Sequence, residues 1–544
     1  MVRLKITGMT CEHCAQTVKR ALESAEGVKS AKVYFPQGYA EVEMEGEMDV
    51  NELVEAVRRS GYGAQPLQEA PEVYIPKEDV YDLFILGGGS AGFAGAIRAV
   101  ELGANRVLIA EENVIGGTCL NRGCIPSKYL IETANMLYAP KSNPIPSVRL
   151  GEGELDFRKV VELKEELLKE LRKEKYWNVL GAYPEIEYVE GHAEFLKKGK
   201  ARVGEREVSF HRALVSSGSS PFVPPIRGIE DVPYLTSDTI FDLEELPEHL
   251  LIIGGGAIGL ELGQAFLRFG SKVSVIEALP EIAMGEEPEL RSRLRELLEK
   301  EGMEIYTSAR VESVAKDGEE IKLTISQGGR SFELVGTHLL VATGRRANTE
   351  SLGLDRVGVQ VDERGFVKVN EFLQTTNPEI YGAGDCIDRM LLVTVAALEG
   401  GIAAENALLG NKKKIDYLSI PHAIFTEPEL GSVGLTEEEA RKRGYRVDTR
   451  VLEFSKVPRA IIAFRTEGLV KMVVEEETHR VLGVHVLAPH GAEIIHRAVP
   501  ILKLGLKLED IVDMVDVYPT LSESIKLCAQ TFFKDVSKLS CCAQ

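Results

Sequence analysis

A strand–glycine–helix pattern that occurs twice constrains this chain more than any other feature. The apolar run Tyr81–Leu86 leads into Gly87-Gly88-Gly89-Ser90-Ala91-Gly92 and then an alanine-rich stretch. A second apolar run over residues 106–110 ends at Glu111. The order repeats downstream: residues 250–253, then Gly254-Gly255-Gly256-Ala257-Ile258-Gly259, a helical stretch over 260–269, the run Lys272–Ile276, and Glu277. An isolated G-x-G-x-x-G carries little information. Set between a strand and a helix, with an acid about twenty residues on, it predicts a βαβ unit that binds a dinucleotide. Gly87 and Gly254 make the tight turn, Gly89 and Gly256 let a pyrophosphate reach the backbone, and Gly92 and Gly259 let helix pack on strand. Each helix N-terminus offers free N–H groups to phosphate, and an acid, Glu111 or its neighbour Glu112 in the first unit and Glu277 in the second, can accept ribose hydroxyls. Two units predict two dinucleotides. At the second, an acid suits the 2′-hydroxyl of NAD, whereas NADP calls for a cation. Ala278-Leu279-Pro280-Glu281 supplies none, so the local chemistry leans towards NADH and leaves NADPH open.

Eight cysteines form three close pairs plus Cys386 and Cys528. In a long chain without a leader, such spacing predicts metal or redox chemistry rather than a structural disulfide framework. Cys119 and Cys124 lie in Gly116-Gly117-Thr118-Cys119-Leu120-Asn121-Arg122-Gly123-Cys124-Ile125-Pro126-Ser127-Lys128. Pro126 suits the first turn of a helix, so the pair is expected at a loop-to-helix junction whose positive partial charges favour thiolate. Cys11 and Cys14 sit in Gly8-Met9-Thr10-Cys11-Glu12-His13-Cys14, on a loop entering a helix with Thr10 as a plausible N-cap. Around them the first 66 residues read as βαββαβ, the ferredoxin-like order. Two thiolates at that spacing suit a two-coordinate soft ion, Hg(II) or Cu(I), whereas zinc would call for four ligands. Cys541 and Cys542 stand two residues from the end, where adjacent thiols can catch a soft cation and pass it to a buried pair. Cys386 reads as a small packed residue.

A net charge of −20 argues against nucleic acid or an anionic membrane as partner. No apolar run approaches bilayer-spanning length, and the expected location is cytoplasmic. Residues 151–180 read as a charged, solvated helix with no chemistry.

The run Gly116–Lys128 resembles the redox-active disulfide of the flavin-dependent pyridine nucleotide–disulfide oxidoreductases. That resemblance implies a mixed α/β architecture with two Rossmann-like domains and an α+β dimerisation domain, binding FAD first and a nicotinamide second. It divides the chain into an FAD domain (79–222 and 348–418), a nicotinamide domain (223–347) and a dimerisation domain (419–544). It places Gly117, Thr118 and Lys128 at the flavin and pairs Glu261 with Lys128. Gly344 falls in the crossing out of the nicotinamide domain, Asp385 on the flavin's ribityl chain, and Glu399 near the nicotinamide ring. It also implies a homodimer whose active sites use both chains. Residues 1–66, with GMTCxxC, resemble the heavy-metal-associated domains of metal ATPases and metallochaperones, joined by a linker over 67–78.

Disulfide-reducing members end in His-Pro-Thr-x-Ser-Glu, the histidine serving as acid/base. Here the run is Tyr518-Pro519-Thr520-Leu521-Ser522-Glu523, and a phenol titrating near pH 10 is a poor proton shuttle. Tyrosine in that slot together with terminal Cys-Cys resembles the mercury(II)-reducing branch of the family. That likeness implies Hg(II) as substrate, delivered as thiol complexes or by a thiol protein, and Tyr234 as a second active-site tyrosine. By the same resemblance Cys124 lies nearest the flavin, and Hg(II) passes from Cys11/Cys14 to the partner's tail and then to Cys119/Cys124. The alternatives are a dithiol/disulfide reductase with an accessory metal module, and a metallochaperone on a redox-inactive scaffold.

Overall fold

The computed structural model describes residues 2–9, 12–25, 27–35, 38–44, 50–67 and 80–535. Thr10, Cys11, the interdomain linker beyond residue 67, Cys541 and Cys542 lie outside them.

The N-terminal module runs Val2–Thr7, Glu12–Glu23, Val28–Tyr34, Tyr39–Met44, Val50–Arg59 and Gly63–Leu67, the expected βαββαβ. Its strands form one antiparallel sheet in the order second, third, first, fourth. Leu4, Ile6, Val18, Leu22, Leu53 and Val57 form the core between sheet and helices. The second strand begins at Val28, which pairs with Met44.

The chain divides into two compact units, the first of which takes in this module. The first is built on Tyr81–Leu86, Val107–Glu111, Ile186–Glu190 and Arg206–Val215, paired in parallel, with Ile380–Gly382 added beside Arg206–Val215. Every residue of Tyr81–Leu86 is buried, because a parallel sheet is covered on both faces; the one charged residue in it, Asp82, accepts from the N–H groups of Asn105 and Arg106. Helix Ser90–Glu101 packs on Val393–Leu409 at close range. A Cβ on Gly400 would meet the Ala91 carbonyl oxygen at 2.0 Å, so that crossing requires glycine.

The second unit holds a five-stranded parallel sheet, with His249–Ile253 flanked by His338–Val341 and Lys272–Ile276. It also holds a three-stranded antiparallel sheet over 309–336 and a five-stranded antiparallel sheet from Pro421–Ile424 to Val481–Ala488. A polar network is buried here. Lys471 Nζ lies 2.9 Å from Glu287 Oε2, 2.9 Å from Glu289 Oε2 and 3.0 Å from Glu437 Oε2. Buried charges persist only when paired in this way.

The charged stretch over 151–180 is less solvated than its sequence suggests. Its helix, Phe157–Arg172, buries Phe157, Val160, Leu168 and also Lys164. The Lys164 ammonium donates to the carbonyl of Phe241 and pairs with Glu165 at 2.9 Å. Among the described residues no helix is long and apolar enough to cross a membrane.

Candidate active site

In the first unit the glycine turn is shaped as a phosphate cradle. Gly87 has φ +111°, and its N–H donates to Ala110 O at 2.8 Å. A Cβ on Gly92 would lie 2.0 Å from Gly87 O, and one on Gly117 would lie 2.7 Å from Gly89 Cα. No side chain caps the N-terminus of helix Ser90–Glu101, so its first N–H groups face the turn. Glu111 is fixed at the strand end: Oε2 accepts from Gly88 N–H and Oε1 from Asn113 N–H, both at 2.7 Å. Backbone crowded against backbone, an uncapped helix start and an oriented carboxylate together fit a dinucleotide such as FAD.

Asp385 lies in the turn Gly384–Cys386 of the same unit. Glu399, in helix Val393–Leu409, is wholly buried and accepts from Gly384 N–H at 2.7 Å. Its position in the structure is thus a brace under the Asp385 turn. Cys386 is buried, its thiol donating to Val215 O and Ala383 O; burial pushes that thiol up to about 12. It is inert packing, as its sequence context suggests.

The second unit repeats the cradle. Gly254 has φ +114°, a Cβ on Gly259 would lie 2.1 Å from Gly254 O, and no side chain caps helix Ala257–Phe269 at Gly256. Glu277 Oε2 accepts from Gly255 N–H at 2.7 Å and Oε1 from Leu279 N–H at 2.8 Å. Gly344, φ +113°, receives a hydrogen bond from Phe222 N–H at 2.9 Å on its carbonyl.

The cysteine pair is set by a break between two helices. Thr118 and Cys119 lie in the short helix Gly117–Arg122, and Cys124 opens helix Cys124–Ser142, with Pro126 in its first turn. Cys119 is therefore helical and not on a loop. Gly123 makes the break possible: a Cβ there would press on Thr118 O at 3.0 Å and Cys119 Cα at 3.2 Å. Both cysteines are half-buried free thiols. The Cys119 thiol donates to the Cys124 sulfur, which lowers Cys124 to about 7; the charge of Lys128 acts in the same direction against burial. The same hydrogen bond, with burial, drives Cys119 strongly upward. One proton is therefore held on Cys119 while Cys124 is the thiolate.

Lys128 follows one turn later on the same helix. Its Nζ lies 2.7 Å from Glu261 Oε2, the pairing expected from sequence. Tyr234 and Tyr518 are exposed at 37% and 44%. Two contacts that sequence reasoning missed bear on the site. Arg122, between the cysteines, donates to Asp238 O at 3.0 Å, tying the cysteine turn to the segment that carries Tyr234. The Phe425 ring lies 4.3 Å from Lys128 Nζ. The position of Arg122 between the cysteines was a usable signal, whereas Phe425 lies almost three hundred residues away and offered none.

A family model described as pyridine nucleotide-disulphide oxidoreductase matches residues 81–400. The chain belongs to this family. The oxidoreductase also matches that family's dimerisation domain over residues 420–529 and the heavy-metal-associated domain over 3–63. Among curated relatives it is 37% identical to a mercuric reductase of Lysinibacillus sphaericus over 99% of both chains. It is 36% identical to that of Staphylococcus aureus over 99% of both. It is 40% identical to that of Streptomyces lividans, covering 85% of this chain and 98% of the relative. Among solved structures it resembles the Cu(II) complex of the HOCl-induced flavoprotein disulfide reductase RclA from Escherichia coli. The TM-score is 0.75 at 30% identity, covering 84% of this oxidoreductase and all of that chain.

Proposed function

We propose that the chain is a mercury(II) reductase that converts thiolate-bound Hg(II) to Hg(0) at Cys119 and Cys124. The observation that carries this reading is the end-to-end likeness to proteins named mercuric reductase, N-terminal module included. The thiol pair suits the chemistry, because soft thiolates select a soft ion.

When bound at the first cradle, FAD supplies the electron pair delivered by a nicotinamide at the second. Gly87, Gly89, Gly92, Glu111, Gly117 and Asp385 would hold it, and Gly254, Gly256, Gly259 and Glu277 the nicotinamide. Glu277 favours NADH, since its carboxylate would repel a 2′-phosphate. The Cys124 thiolate attacks an incoming Hg(II) dithiolate first and expels one thiolate. Cys119 then forms the second Hg–S bond, and its proton leaves with the second thiol. Two Hg–S bonds break and two form, so the ion is never free. Two electrons then yield neutral mercury, both protein–metal bonds break with their electron pairs left on sulfur, and uptake of one proton by Cys119 restores the thiol–thiolate pair. Tyr234 and Tyr518 orient ligands by hydrogen bonds without acting as acids. Cys11 and Cys14 would gather the ion, and Cys541 and Cys542 of a second copy would relay it, in a homodimer built on the dimerisation domain.

Anaerobic turnover with NADH and an Hg(II)–thiol complex tests this, with Hg(0) vapour measured. Vapour in proportion to NADH consumed is expected. Absence of vapour, with turnover of lipoamide or glutathione disulfide instead, would replace the reading with that of a disulfide reductase.

A further inference from the structure

One face of helix Ala257–Phe269 grips the backbone of residues 425–427. Glu261 uses both carboxylate oxygens, Oε2 on Lys128 Nζ at 2.7 Å and Oε1 on the Phe425 N–H at 2.9 Å. One turn on, Gln264 treats Glu427 as a strand neighbour would: Oε1 accepts from its N–H at 2.7 Å and Nε2 donates to its carbonyl at 2.9 Å. Glu261 and Gln264 are both buried. Phe425 is thereby fixed in register, and its ring forms the second wall of the Lys128 ammonium, 4.3 Å from Nζ.

We propose that Phe425 is a positioning residue for Lys128, and through Lys128 sets the redox equilibrium of the Cys119–Cys124 couple. A lysine side chain is long and rich in rotamers, and a single carboxylate leaves it free to swing. The Phe425 ring, 4.3 Å from Nζ, adds a cation–π contact that restricts this freedom. Lys128 lies four residues after Cys124, on the same helix face. Reduction adds two electrons and one proton to the disulfide, breaks the S–S bond and leaves one thiol and one thiolate. A cation held on that face stabilises the thiolate and has no charge to act on in the disulfide. Fixing Lys128 therefore favours the reduced pair. The inference rests on Cys119 and Cys124 being the redox pair.

The test uses the FAD-loaded full chain, equilibrated in mixtures of oxidised and reduced dithiothreitol. Thiols are trapped by alkylation, and the peptide carrying both cysteines is weighed. Phe425→Leu and Phe425→Met are expected to shift the equilibrium towards disulfide threefold or more, about 14 mV at 29.6 mV per tenfold. Lys128→Met should shift it at least as far. Phe425→Tyr, which keeps the ring, should match the parent. The methionine variant, close in volume to phenylalanine, keeps the test decisive if the leucine variant does not fold. A parent-like equilibrium in both aliphatic variants, or in Lys128→Met, overturns the proposal. If the parent forms no Cys119–Cys124 disulfide at all, the redox-pair reading fails and the inference goes with it.

Discussion

Glu111 and Glu277 are held by the same two backbone hydrogen bonds in two different sheets. Each takes the N–H of the middle glycine of its turn, Gly88 or Gly255, and the N–H two residues beyond itself, Asn113 or Leu279, all at 2.7–2.8 Å. The repeat is therefore one of geometry as well as of sequence, and both carboxylates are fixed in one orientation, the one expected of an acid that accepts a ribose diol. At the second cradle this predicts a kcat/KM for NADH at least tenfold above that for NADPH. Hydrogen bonds to charged groups contribute about 1.5–3 kcal/mol, so Glu277→Ala should lower kcat/KM for NADH by about ten- to a hundredfold and narrow the preference. Steady-state kinetics with both nicotinamides checks this, and equal losses for the two would count against it.

Gly92 and Gly259 predict separable defects. A methyl group at either meets a carbonyl oxygen at 2.0 or 2.1 Å, which only a backbone shift relieves, at a cost of about 1–3 kcal/mol. Gly92→Ala should purify with little or no FAD. Gly259→Ala should keep its FAD while NADH no longer bleaches the flavin absorbance. Absorbance spectra before and after NADH distinguish the two, and a Gly259→Ala protein bleached at the parent rate would sink the assignment.

These glycines were legible because each performs its task within a few residues of its neighbours in sequence. Tyr81–Leu86 and Lys272–Ile276 were legible because strands buried on both faces of a parallel sheet are mostly apolar. Lys164 and Lys471 were not. Each is buried by partners, Phe241 and Glu287, that lie far away in sequence, and nothing in the residues around either lysine names such a partner. The Lys128–Glu261 pair could be expected only through family resemblance, and the Phe425 ring beside it not at all. The loop-to-helix junction expected from Pro126 is instead a break between two short-spaced helices, with Cys119 inside the first and Cys124 opening the second, because Gly123 lets the chain turn between them.

Lys471 should be the costliest single charge to remove. Its side chain and that of Glu287 are 2% and 1% exposed, so deleting the cation strands a buried carboxylate. Breaking such a pair costs about 3–5 kcal/mol. Lys471→Met should lower stability by that amount in denaturant unfolding, while Glu289→Gln, on a partner 43% exposed, should cost under about 1 kcal/mol. Similar costs for the two would mean the network does not behave as buried.

Tyr518 should matter for turnover and not for folding. Its side chain is exposed, so Tyr518→Phe should change stability by no more than about 0.5 kcal/mol. Loss of one neutral hydrogen bond, about 1 kcal/mol, predicts roughly a fivefold fall in Hg(II) reduction. Tyr518→His should add some activity towards lipoamide or glutathione disulfide, because imidazole can move a proton at neutral pH where the phenol cannot. Vapour and disulfide assays on both variants decide; unchanged Hg(II) reduction in Tyr518→Phe would remove the hydroxyl from the mechanism.

Cys124 should react before Cys119 across neutral pH. The hydrogen bond from Cys119 lowers Cys124 to about 7, with help from Lys128, against about 8.5 for an ordinary thiol. An acid lowered in this way is the thiolate above about 7 and protonates as the pH falls through that value. Iodoacetamide should therefore modify Cys124 in the reduced protein with a midpoint near 7, while Cys119, which keeps the proton, reacts only at much higher pH. Removing either source of stabilisation should move the midpoint upward: Cys119→Ala takes away the donated hydrogen bond, and Lys128→Met takes away the charge. The hydrogen bond is the larger cause, so Cys119→Ala should produce the larger shift. Peptide mass analysis of alkylation rates between pH 5 and pH 10 reads both sites at once. Faster modification of Cys119, or a Cys124 midpoint at the ordinary thiol value, would reverse the assignment of nucleophile and proton holder.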